Sequence, residues 1–207
     1  MPQLLATEFR DRGALEKDYP DTFPQNMEEV EKSGGYVRFG VDAMAMTKSF
    51  HKGSHFPIVT SMFPNTGSRN RKTQGPLTHD VVGGLFSGSA KFQEPGDQLV
   101  LTVPQKYSHG KRHSTYGMQK HAPEQGYTLM NKFQFDPLLH PPYEHRMTKK
   151  NKSAKSMGGG EKGVSYIFLK APKGTTPTYD SDFETDEEPE NVYDSRGKKK
   201  KQKKLFL

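Results

Sequence analysis

Leucine, isoleucine, valine and phenylalanine supply only 38 of the 207 residues, 18% of the chain, and just two of the 38 are isoleucine. That shortage constrains everything else. Ordering a residue costs on the order of 1–2 kcal/mol of backbone entropy. A chain whose strongly apolar residues fall below about 20% and whose net charge is high lies in the compositional region of disorder. The net charge here is +7. Composition therefore predicts a mostly irregular, extended fold with short N-terminal helices, a few short strands and a disordered C-terminal tail. A partner surface would supply the burial that the interior lacks.

Charge is segregated along the chain. Residues 1–35 carry a net −4, residues 36–173 a net +12, residues 174–195 a net −8 and residues 196–207 a net +7. This predicts three parts: an acidic head (1–35) with short helices, a basic extended body (36–173) rich in Gly, Pro and aromatics, and a disordered acidic patch with a lysine tail (174–207). A basic body points to an anionic partner, either nucleic acid or an acidic protein polymer. No cysteine is present, which removes disulfides and thiolate chemistry. No run of about 18 apolar residues predicts a membrane span, and the first residues lack the apolar segment of a secretory signal.

Few elements are legible. "QLLATEFRDRGALEKDY" places Leu4, Leu5, Phe9 and Leu15 at loose helical spacing. "DTFPQNMEEVEKSGG" is a better helix, with Thr22 as cap, Pro24 in the first turn and Gly34 as the stop. "DQLVLTV" (97–103) and "VSYIFL" (164–169) read as the clearest strands. The roughly sixty residues between them have no helical period, which predicts an extended segment.

Candidate chemistry is sparse. "GGLFSGSAKF" (83–92) offers glycines, hydroxyls and a lysine. Gly84 and Gly88 are nevertheless four apart, and Lys91 follows at the wrong offset for a phosphate loop. His51 with His55 and His109 with His113 are spaced to share a metal only on a helix, and neither pair sits in a helical sequence. No nucleophile elbow or paired carboxylate appears in the body. The residues therefore predict no catalytic group, no cofactor and no metal.

What remains is aromatics spaced with cations. Phe86, Lys91, Phe92, Tyr107, Lys111, Arg112, Tyr116, Phe133, Phe135, Tyr143 and Arg146 are the candidate partner-binding residues, because aromatics and arginine anchor interfaces. The stretches "GLFSGSAKF", "KYSHGKRHSTYG" and "GYTLMNKFQFDP" resemble the ribbon segments of ciliary and flagellar microtubule inner proteins. That resemblance implies a non-catalytic structural protein lying on axonemal doublet microtubules, with tubulin and neighbouring axonemal proteins as partners. The glycines of 83–88 would then be hinges of the ribbon. The alternative is an RNA-binding component of a ribonucleoprotein particle, in the nucleus or wherever the particle resides. Its weakness is a body richer in lysine than in the arginine that suits phosphate and base contacts.

Overall fold

The computed structural model describes residues 4–64, 66, 70–104, 116–135 and 163–179. Two parallel β-pairs organise them. Strand β1 (Leu5–Glu8) leads through helices α1 (Arg12–Asp18) and α2 (Phe23–Lys32) to β2 (Tyr36–Phe39), which pairs with β1 in parallel. A 3-10 segment (Ala43–Lys48) follows, then β3 (Ile58–Met62), α3 (Arg71–Ser89) and β4 (Gln98–Pro104), with β3 and β4 again parallel. Helix α4 (Met118–Glu124) precedes β5 (Tyr127–Phe135), and β6 (Gly163–Lys170) inserts between β4 and β5, antiparallel to both. The second sheet thus runs β3-β4-β6-β5. Among the described residues no helix is long and apolar enough to cross a membrane.

This architecture overturns the extended reading. The few apolar residues are concentrated where they count. Along one face of the sheet, the register lines up Val59, Leu99, Phe168 and Leu129 across four strands. Leu101 with Tyr166 and Val103 with Val164 extend that face. Helix α3 lays Val82, Leu85 and Phe86 on it, and α4 adds Met118 and Ala122. The Phe86 ring meets Tyr127 edge-on at 5.5 Å and Phe168 at 5.0 Å, a geometry worth about 0.5–1.5 kcal/mol per pair beyond area burial. A second cluster of Val41, Met46, Phe50 and Phe92, joined by Leu5 and Phe56, lies under the 3-10 segment. It connects β1 to the entry of β3.

The glycines of 83–88 are neither a phosphate loop nor hinges. They lie inside α3, where they let neighbours approach. A Cβ on Gly84 would stand 2.7 Å from Met44 Cα, and one on Gly88 would stand 2.9 Å from Met46 Sδ. Gly83 faces α4, where a Cβ would lie 2.7 Å from His121 Cε1. Each glycine costs the helix about 1 kcal/mol relative to alanine. The packing they permit offsets that cost. The long segment expected to be extended also contains α4 and β5.

The helix starting at Phe23 is confirmed, with Pro24 in its first turn and Gly34 following in the left-handed region at φ +75. Leu5–Glu8, expected in a helix, forms β1 instead. The reason is pairing: Tyr36 N donates to Leu4 O at 3.0 Å and Val41 N to Glu8 O at 2.9 Å. Residues 180–207 lie outside the described residues.

Gly84→Ala is expected to lower urea-unfolding stability by about 1–3 kcal/mol, because overpacking against Met44 outweighs the helix gain. Gly13→Ala in α1, whose Cβ would meet only Asp11 Oδ1 at 3.5 Å, is expected to raise it by roughly 0.5–1 kcal/mol. Equal responses at the two sites would contradict the packing role.

Candidate functional site

In open α/β folds, ligands settle outside the carboxyl ends of the parallel strands. Those ends carry the features here that packing alone does not explain. At the end of β3, Phe63 has φ +52 and is the only non-glycine residue with positive φ among those described. A bulky side chain there strains the backbone by on the order of 1–3 kcal/mol, and such strain gathers at functional sites. Three contacts hold it in place. Phe63 N donates to Thr102 O at 2.7 Å. Its ring meets Phe135 at 5.7 Å, and Gly163 leaves room where a Cβ would come within 3.1 Å of the ring. Pro64 follows and has no N–H to continue a ladder.

At the carboxyl ends of the other pair stand carboxylates. Glu8, the last residue of β1, accepts a bond from Arg10 N at 3.0 Å. Asp42, three residues beyond β2, caps the 3-10 segment by accepting from Met44 N at 2.8 Å. Each carboxylate has a second oxygen able to accept a hydroxyl or amine. Between β2 and Asp42, Gly40 has φ +70, and a Cβ there would meet nothing within 4 Å, so the turn is open. Arg10 is spoken for: it pairs with Asp18 at 2.6 Å, and that hydrogen bond raises its pKa. Met44, two residues beyond Asp42 in the 3-10 segment, stands exposed, giving a soft, adaptable apolar contact.

The expected partner-binding residues fare differently. Phe86, Phe92, Tyr116 and Phe135 are buried: Phe86 and Tyr116 belong to the main core and Phe92 to the second cluster, while the Phe135 ring packs on Phe63. Lys91 is exposed just after α3, and Phe133 is exposed on β5. Tyr107, Lys111, Arg112, Tyr143 and Arg146 lie outside the described residues, as do His109 and His113. His55 instead pairs with Asp97 at 2.7 Å. The strand-end residues Glu8, Asp42 and Phe63 escaped the sequence reading because the pairing of the strands was not legible.

The profile of the family described as rRNA (uridine-N3-)-methyltransferase BTM5-like matches residues 1–147. No curated protein matches the chain. Among solved structures, similarity extends to a protein described as a DNA modification methylase from Thermus thermophilus. The two share 15% identity at TM-score 0.39, covering 66% of this chain and 53% of that one. A Listeria monocytogenes protein described as a class I S-adenosylmethionine-dependent methyltransferase shares 9% at TM-score 0.40, covering 87% and 57%. A 16S rRNA (adenine(1408)-N(1))-methyltransferase mutant from Catenulisporales acidiphilia shares 13% at TM-score 0.39, covering 85% and 89%. The chain thus spans little more than half the length of the first two, and likeness this distant carries no argument about function.

The family match overturns the microtubule resemblance. With it go the non-catalytic filament role, tubulin and axonemal proteins as partners, and the axonemal location. The "GLFSGSAKF" and "GYTLMNKFQFDP" stretches look like ribbon segments only because glycines and aromatics that pack a helix and a sheet share that composition.

Phe63→Gly is expected to be more stable than Phe63→Ala by about 1 kcal/mol, since both lose the ring and only alanine keeps the left-handed penalty. Urea unfolding of the pair measures this. An alanine variant equal to or above the glycine variant would show that Phe63 stores no strain.

Proposed function

The chain belongs to the BMT5-like family of rRNA (uridine-N3-)-methyltransferases, and on that premise we propose that it takes part in transfer of a methyl group to N3 of a uridine in ribosomal RNA. The observation carrying this reading is the family match itself, which spans both parallel pairs and their carboxyl ends. The chain then locates with ribosomal RNA. The net +12 of residues 36–173 suits a polyphosphate partner, and the low arginine content that weighed against RNA concerns contact style rather than charge.

The donor implied by such chemistry is S-adenosylmethionine, which supplies an electrophilic methyl when bound. The residues present fit its nucleoside end. Asp42, just beyond the second strand, sits where an acidic group of dinucleotide-binding folds accepts a ribose hydroxyl, Glu8 ends the parallel strand beside it, and the open turn at Gly40 leaves room. The turn after β1, Phe9-Arg10-Asp11, has no glycine, so the described residues offer no glycine-rich cradle there. The chain's own share is to bind and orient. The carboxylates fix hydroxyls, and Met44 presents polarizable surface to rings. The turn at Phe63 and Pro64 leaves the ladder at the point where strand ends give way to solvent.

Calorimetric titration with S-adenosylhomocysteine tests this. Binding is expected, weakened about tenfold, or roughly 1.4 kcal/mol, by Glu8→Gln or Asp42→Asn. Asp42→Asn keeps an oxygen for Met44 N, so its thermal midpoint should hold. Absence of binding at millimolar ligand, or binding indifferent to both changes, overturns the assignment of these residues.

A further inference from the structure

Helices α3 and α4 meet at two histidines. His121 Nε2 lies 3.0 Å from His79 Nδ1, and the ring centroids are 4.4 Å apart at 66°. Both backbones are cleared for the rings. A Cβ on Gly117 would fall 2.3 Å from His79 Nε2, and one on Gly83 would crowd His121. Among the described residues, no group of three or more His, Cys, Asp or Glu could hold a metal, so the pair stands as a hydrogen bond.

We propose that the His79–His121 pair is a proton-operated latch that holds the start of α4 against α3 and releases it when both rings are protonated. An imidazole–imidazole bond needs one N–H facing one lone pair. With neither or one of the rings charged, that bond forms. With both charged, two N–H groups face each other and two positive charges lie within a few ångströms.

The surroundings set the direction. Glu124 on α4, 3.8 Å from His121 Nδ1, and Asp80 on α3 favour the charged ring. Burial above all, then His79, with Lys120 a smaller contribution, disfavours it and holds His121 below the ordinary histidine value. A base with a lowered folded pKa binds fewer protons folded than unfolded. Its stabilisation is therefore complete above about pH 6.5, the unfolded value, and is lost as pH falls through the lower folded one. The latch controls more than a helix end. Gly117 precedes α4 in the left-handed region at φ +60, and Tyr116 and Met118 on either side of it are core residues. Release loosens the core at Tyr116 and Met118.

This inference goes beyond the methyl-transfer reading and does not depend on it. Imidazole NMR titration of the full chain is expected to show His121 titrating below the free-histidine value. Amide exchange of residues 118–124, corrected for intrinsic rates, should speed about tenfold or more between about pH 7.5 and pH 5. The amides of β4 and β6 should hold. His121→Gln should abolish that pH dependence. A His121 titration at the ordinary value, or an α4 response that persists unchanged in His121→Gln, overturns the latch; the ring titration needs no variant.

Discussion

The close approach of α3 to its neighbours is the constraint on which the rest of the structure depends. Three glycines remove side chains from two sides of the helix: Gly84 and Gly88 toward the 3-10 segment, and Gly83 toward α4. The remaining face carries Val82, Leu85 and Phe86 into the sheet. One helix of poor intrinsic propensity thereby fastens the carboxyl end of β2, through Met44 and Met46, to the sheet containing β3 and β4.

Two polar arrangements show how a core this lean stays specific. Tyr127 OH donates to Gln93 Oε1 at 2.6 Å, and Gln93 Nε2 donates to Phe56 O and Gln98 O. Burial raises the Tyr127 phenol, keeping it a neutral donor. Lys170 Nζ lies 4.7 Å from the Tyr127 ring centroid and donates to Gln125 O, and burial lowers its pKa. Among the described residues no buried side-chain polar atom lacks a partner. Satisfied networks of this kind fix one packing where apolar volume is scarce.

Part of this is legible in the sequence. Pro24 and Gly34 announce the second helix, and runs of β-branched and aromatic residues announce β4 and β6. The largest omission is α3. Its buried residues Thr78, Val82, Leu85, Phe86 and Ser89 fall at helical spacing, but four glycines, a proline and two serines mask the pattern, because propensity and periodicity disagree. Average composition misleads for a related reason. It counts residues 105–115, 136–162 and 180–207 with the rest, whereas the apolar residues of 78–104 and 116–135 converge on β6. Of the site, no residue is legible in the sequence, since Glu8, Asp42 and Phe63 acquire meaning only from strand pairing. Phe86 and Phe135 stand out in the sequence as partner anchors, but what they anchor is the interior.

The central claim is that this converging set makes one cooperative fold despite the composition. Urea unfolding of the isolated chain, followed in parallel by far-UV and near-UV circular dichroism, tests it most directly. A single sigmoidal transition with the same midpoint for backbone and aromatic signals is expected, since Phe86, Tyr127, Tyr166 and Phe168 share one core. A shallow, non-cooperative loss of backbone signal with no aromatic transition would contradict it.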